Sequence, residues 1–221
     1  VLGYDSFSQT DEVRMRSGYM SQKFAIYDDL TVVENMEFYA GVYGITDKKR
    51  IHASLEHVGL QEHHNEVTRD LSTGWRQRLA LGIALVHKPR LLFLDEPTSG
   101  VDPNARRVFW DLIYGLAEEG VTIMVTTHYM DEAERCHAII YIANGKIMTK
   151  GTVSEVIANA ALSTWVVRGP LLMQLQTKLI KLTEISHVAP FGDSLHVSGV
   201  NEQALKAALR PWMNDPRYQW A

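Results

Sequence analysis

Cysteine is nearly absent from this sequence. The single thiol, Cys136, cannot close an internal disulfide, so the chain is not a disulfide-stapled scaffold and its composition fits a reducing compartment. Taken alone, Cys136 reads as a small buried hydrophobe. Long apolar runs are missing too: Leu79 to Val86 and Ala138 to Ala143 fall far short of the roughly 20 residues that a membrane-spanning helix needs. Any membrane contact is therefore expected to be peripheral. Positive charge is not in surplus. With 22 Lys and Arg against 26 Asp and Glu, the net charge of -4 argues against nucleic acid or an anionic membrane surface as the main partner. No G-x-x-x-x-G-K-[ST] segment occurs, and Gly145 and Lys146 do not supply one because Ile147 follows them. Val1 to Asp5 carries no initiator Met, signal peptide or targeting pattern and reads as a cut through a longer polypeptide.

What is present is the composition of an ordinary globular protein: 221 residues, 46% hydrophobic and 22% charged, enough for one large domain and a small one. Val13 to Met20 reads as a strand ending near Ser21 and Gln22, followed by an irregular stretch to Leu30. Thr31 and Glu34 have capping-box spacing, and Val33, Met36 and Tyr39 to Ala40 continue at helical spacing. Ile51, Leu55 and Val58 mark a second helix that Gly59 should stop. Gly74 to Val86 is apolar almost all round, as in a buried helix that Pro89 prevents from continuing. Residues of about 30 to 88 thus form a helical subdomain.

Leu91 to Leu94 is a continuous apolar run, as expected for a strand covered on both faces in a parallel sheet. Asp102 and Pro103 then make a cap and first-turn pair for a helix whose apolar face runs through Val108, Phe109, Leu112, Ile113 and Leu116. With Val121 to Thr126 as a second buried strand, residues 91 to 126 form a strand, helix, strand crossover, the unit of α/β folds. Ala138 to Ile142 and Ile147 to Thr149 flank Asn144 and Gly145, which suit a tight hairpin. After about residue 160 the order becomes strand, helix, strand, strand, helix (164–167, 171–182, 188–191, 195–200, 202–212), a small α+β appendage with its own core.

The chemistry concentrates at one place in this pattern. Asp95 and Glu96 stand at the carboxyl end of the apolar strand, the edge of an α/β sheet where ligands bind. The first carboxylate can hold Mg²⁺ together with substrate phosphates, and the second can orient or deprotonate a water. Taken alone, Asp-Glu-Pro after an apolar run also simply ends a strand. His128, however, follows the next strand and falls at the same edge. Ser72 to Gly74 lead into the buried helix, whose first turn offers free N–H groups to an anion, although Ser72 is equally an ordinary cap.

In this order the residues resemble the ATP-binding cassette family. Gln22 matches its Q-loop, Leu71 to Trp75 its signature motif, and Leu91 to Glu96 its Walker B strand with the catalytic glutamate. Ser99 to Asp102 match its D-loop and His128 its switch histidine. Within the family, Asp95 to Pro103 and Thr127 to Glu134 look most like drug- and polyketide-exporter ATPases that serve an ABC-2-type transmembrane subunit. The resemblance implies a P-loop NTPase-type ABC ATPase core of α/β class, N-terminally truncated, over residues 1–158, with the small α+β domain over 161–221. It implies ATP and Mg²⁺ as ligands and a second cassette, identical or not, as partner. It also implies a peripheral site at the cytoplasmic face of the membrane and no nucleic acid.

Carried over residue by residue, the resemblance makes Glu96 the general base, with His128 holding the γ-phosphate and Asp95 serving Mg²⁺. Gln22 links the Mg²⁺ site to the helical subdomain, and Ser72 and Gly74 contact the γ-phosphate in trans. Asp102 counts among the nucleotide-binding positions, and Phe24 to Leu30 would face the membrane partner. Two departures stand out. Thr73 and Trp75 occupy signature positions usually held by Gly and Gln, and the phosphate loop with its preceding base-stacking aromatic is missing, so this chain alone is expected to be inactive. Two other readings share the same residues: a soluble ABC ATPase of translation or DNA repair, and a non-catalytic regulatory cassette.

Overall fold

A computed structural model describes residues 1–23 and 25–221. The chain divides into two compact units, Val1–Met130 and Asp131–Ala221.

The first unit joins a parallel sheet to a layer of helices. A short helix α1 (Thr10–Arg14) precedes β1 (Ser17–Met20), so the strand expected from Val13 starts four residues later. The helical layer follows as α2 (Val32–Val42), α3 (Lys48–His57) and α4 (Thr73–Leu85). The Thr31 and Glu34 capping box forms in full, which fixes where α2 begins. Then come β2 (Leu91–Asp95), α5 (Pro103–Glu118) and β3 (Thr122–Thr126). The sheet order is β1-β2-β3, and both pairings are parallel. Met36, Leu55, Leu79, Leu81, Leu92, Leu94, Phe109 and Trp110 form its deepest core. The expectation that β2 and β3 are covered on both faces holds only in part. Leu92 and Leu94 are fully buried, but β3 is an edge strand among the described residues, and Met124 on it is 50% exposed.

One contact fastens the helices to the sheet and carries a pH-sensitive group. Past the end of α4, the His87 ring stacks on Tyr43 with centroids 3.8 Å apart and planes 4° from parallel, and its Nε2 lies 3.0 Å from the Ser17 carbonyl of β1. Burial pushes the His87 pKa below its ordinary value of 6.5; the Ser17 carbonyl opposes this and the Arg50 charge adds to it. The ring is thus held neutral in the fold but protonates freely in the unfolded chain. Its contribution is complete above pH 6.5 and is lost as the pH falls through the lower folded value. The unfolding midpoint of the first unit should fall on acidification through this window. His87→Gln, whose amide can still donate to Ser17, should remove that share of the slope in pH-dependent melts, and an unchanged slope would assign the acid sensitivity to another group.

After a short helix α6 (Met130–Ala133), the second unit contains a hairpin of β4 (Ile139–Ala143) and β5 (Lys146–Gly151). Asn144 and Gly145 take φ of 51° and 72°, the two left-handed residues that a two-residue hairpin loop requires. Cys136 is half-buried, not fully so, and burial pushes its thiol pKa up. A helix α7 (Val153–Ala160), absent from the sequence reading, follows with a complete Thr152 and Glu155 capping box. The remainder is β6 (Ser163–Arg168), α8 (Leu172–Leu179), β7 (His187–Phe191), β8 (Ser194–Gly199), α9 (Glu202–Met213) and β9 (Gln219–Trp220). Its sheet order is β7-β8-β6-β9, all antiparallel. This is the split β-α-β arrangement, with β9 closing the second half. Val167, Leu175, Leu179, Leu195, Val197, Leu205 and Leu209 form its own core.

Candidate active site

Parallel register brings the carboxyl ends of the three strands of the first unit to one edge: Met20 pairs with Leu94, and Asp95 with Thr126. Thr126 Oγ1 donates to Asp95 Oδ1. The next N–H, of Glu96, reaches back to the Thr126 carbonyl at 3.0 Å and to its hydroxyl at 3.1 Å. Glu96 makes these bonds with φ at 45°, in the left-handed region. For a residue with a side chain that conformation costs on the order of 1–3 kcal/mol. The bend ends the strand and brings the carboxylate to its neighbours on both sides. Gln22 Nε2, just past β1, donates to Glu96 Oε2 at 2.8 Å, and His128 Nδ1, just past β3, lies 3.4 Å from the same oxygen. The Glu96 side chain is 29% exposed and that of His128 57%, so water reaches the carboxylate.

Asp95, Glu96, Gln22 and His128 are therefore brought together. Ser72, Gly74 and Asp102 belong to a second cluster. Ser72 caps α4, and its Oγ accepts the Trp75 N–H at 3.5 Å, the long limit for such a bond. Asp102 caps α5, accepting the N–H groups of Asn104 and Ala105 at 3.0 Å each. The two helix starts touch, since a Cβ added to Gly74 would stand 3.0 Å from that of Ala105. Trp75 is packed between neighbours: its ring centroid lies 4.3 Å from that of His63, and the Arg78 guanidinium sits 4.4 Å above it.

Sequence reasoning missed the residues that fasten the segment after Gln22. Arg76, in the first turn of α4, pairs with Asp28, and Arg69 pairs with Asp29 at 3.0 Å. Buried Asn35 donates to the Tyr27 carbonyl and to Thr68 Oγ1, both at 2.9 Å, and accepts the Tyr27 N–H at 2.8 Å. No spacing rule links Asp28 to Arg76, 48 residues away. Beside this segment the exposed Tyr27 and Phe38 and the half-buried Tyr39 form an aromatic cluster, with ring centroids 5.0 Å apart for Tyr27 and Phe38 and 5.2 Å for Phe38 and Tyr39. Phe24, also expected on this face, lies outside the described residues.

Among the described residues no group of three or more His, Cys, Asp and Glu side chains could cage a metal. The oxygen set around Asp95 is sparse, as suits Mg²⁺, which retains waters and takes phosphate oxygens alongside one or two carboxylates.

The ABC transporter family pattern matches residues 3–99. The chain is 46% identical over 164 residues to the probable multidrug ABC transporter ATP-binding protein YbhF of Escherichia coli (strain K12), covering 73% of this chain and 28% of that protein. It is 33% identical over 208 residues to the Nod factor export ATP-binding protein I of Burkholderia pseudomallei (strain 1710b), covering 92% of this chain and 68% of that one. The dimeric structure of a post-hydrolysis state of the ATP-binding cassette MJ0796 bound to ADP and Pi superposes with a TM-score of 0.59 at 27% identity, over 68% of each chain. These likenesses agree with the fold: the chain belongs to the ABC transporter ATP-binding family and carries the α/β fold of its ATPase domains.

Proposed function

We propose that this chain is the ATP-hydrolysing part of an export transporter, coupling hydrolysis to substrate movement through ABC-2-type membrane subunits. The observation that carries this reading is the meeting of Gln22 and His128 on one Glu96 oxygen, beside Asp95. A carboxylate so placed is solvated enough to take a proton from water and is oriented from both sides. In this reading Glu96 is the general base, His128 contacts the γ-phosphate and Asp95 binds Mg²⁺, with Gln22 between the metal and the helical layer. Bound Mg²⁺ neutralises charge on the transferring phosphoryl group. Ser72 and Gly74, on a separate helix start, serve the nucleotide of a second cassette, and Asp102 supports them by holding the start of α5. We assign residues 1–158 to the cassette and 161–221 to the appendage.

The aromatic cluster of Tyr27, Phe38 and Tyr39 supports a membrane subunit as partner on that face, as do the export functions in the relatives' names. No helix among the described residues is long and apolar enough to cross a membrane. That fits a peripheral place at the cytoplasmic face.

Because these 221 residues contain no phosphate-loop sequence, nucleotide affinity should depend on supplying one. Titration calorimetry with Mg·ATP should detect no micromolar binding to this chain, and should detect it for a version preceded by a strand and loop bearing G-x-x-x-x-G-K-[ST]. Equal binding to both would mean that other groups hold the nucleotide, and would overturn the assignment.

A further inference from the structure

Gln77 lies in the second turn of α4 and is 2% exposed. Its Nε2 donates to the Ser99 carbonyl at 3.3 Å. The amide orientation is dictated by that neighbour, since a carbonyl can face only the nitrogen. The other end, Oε1, is buried without a hydrogen-bond partner among the described residues. A buried amide left half satisfied costs stability, and an apolar side chain of the same length would avoid that cost. Stability does not account for a glutamine here.

Its position suggests what does. Five residues before it, Ser72 opens the helix, and Gly74 touches Ala105 in the first turn of α5. The carbonyl that Gln77 holds belongs to the loop running from Glu96 to the α5 cap. Within that loop the Ser99 N–H is bonded to the Glu96 carbonyl at 3.1 Å, and the Val101 N–H to the Thr98 carbonyl at 3.3 Å. Ser99 is therefore tied at its N–H to the Glu96 backbone and at its carbonyl to the signature helix. Gln77 is the side-chain bridge from the helix that starts at Ser72 to the loop that starts at Glu96.

We propose that Gln77 is a positioning residue that locks these two starts into one body. Ser72, which would serve one nucleotide, and Glu96, which would act on the other, then shift together. The inference rests on the hydrolytic reading for its functional meaning but not for its geometry. The unsatisfied Oε1 is the local cost of that bridge.

Gln77→Met keeps the length of the side chain and removes both the bridge and the orphaned oxygen. Hydrogen exchange measured by mass spectrometry on this chain should show the amides of residues 98–102 exchanging about five- to tenfold faster, as expected for losing one hydrogen bond. Amides in the middle of α4 should be unchanged, and the melting midpoint should be equal or higher. A residue that only fills space would be replaced by methionine with no selective loop opening, and that result overturns the proposal. In a form that turns over ATP, the same variant should lower kcat about fivefold or more with KM within twofold. Loop opening in a protein that hydrolyses no ATP even when a phosphate loop is supplied would leave the bridge standing and sink the hydrolytic reading alone. Unchanged loop exchange with turnover intact would do the reverse.

Discussion

Glu96→Gln in a version carrying a phosphate loop should lower ATP turnover by about two to four orders of magnitude, the range for losing a positioned general base, while leaving nucleotide affinity within a few-fold. The substitution is informative because it changes so little else. Glutamine has the same length, and its amide oxygen can still accept from Gln22 Nε2, which now sits 2.8 Å from Oε2. The backbone bonds of residue 96 to Thr126 do not involve the side chain. Only the capacity to take a proton is removed. Single-turnover measurements would separate the slowed chemical step from binding. Turnover retained within threefold would mean that another group activates the water. His128→Ala and Asp95→Asn would then be the next variants to compare.

Gly18→Ala should be the most damaging single methyl addition in the first unit. A Cβ there would stand 2.2 Å from the Ala84 carbonyl oxygen, 2.9 Å from Leu92 Cδ1 and 3.1 Å from the Ala84 carbonyl carbon. The first and last of these are backbone atoms of α4 that cannot rotate aside, so either β1 or the whole helix must move. Both are core elements, and Ala84 and Leu92 are themselves buried. Such overpacking costs about 3 kcal/mol or more, a loss of roughly 6–12 °C in a melting midpoint for a protein of this size. Gly115→Ala serves as the control. It lies inside α5 with nothing within 4 Å of the added carbon, and helix propensity predicts a gain of up to about 1 kcal/mol. If the two variants melt alike, β1 and α4 do not approach as closely as described.

The elements legible in the sequence were those whose ends carry chemistry of their own. Thr31 with Glu34, Asp102 with Pro103, and Asn144 with Gly145 each fixed a boundary through local hydrogen bonds or backbone preference, and each forms as expected. Thr152 with Glu155 carries the same signal for α7. The helix α1 was hidden for a different reason. It is five residues long, shorter than the window that hydrophobic periodicity needs, and Val13, Met15, Ser17 and Tyr19 alternate as in a strand. The two-residue β9 exists only because Val167 and Arg168 pair with it, a long-range fact with no local trace.

For the candidate site, the strand pattern was enough to expect Asp95, Glu96 and His128 at one edge. It was not enough to expect that Gln22 and His128 meet on a single oxygen, because that depends on the turn at Glu96. Asp28, Asp29, Asn35 and Gln77 are invisible in the sequence, since their partners Arg76, Arg69, Thr68 and Ser99 lie far from them along the chain.

The left-handed backbone at Glu96 has a consequence for how such a chain can change. Asparagine or glycine would sit there more comfortably than glutamate, so with Glu96 as the proposed general base, stability and turnover ask for different residues at this position. Under that proposal, a replacement at residue 96 that relaxes the backbone yields a sturdier and silent protein.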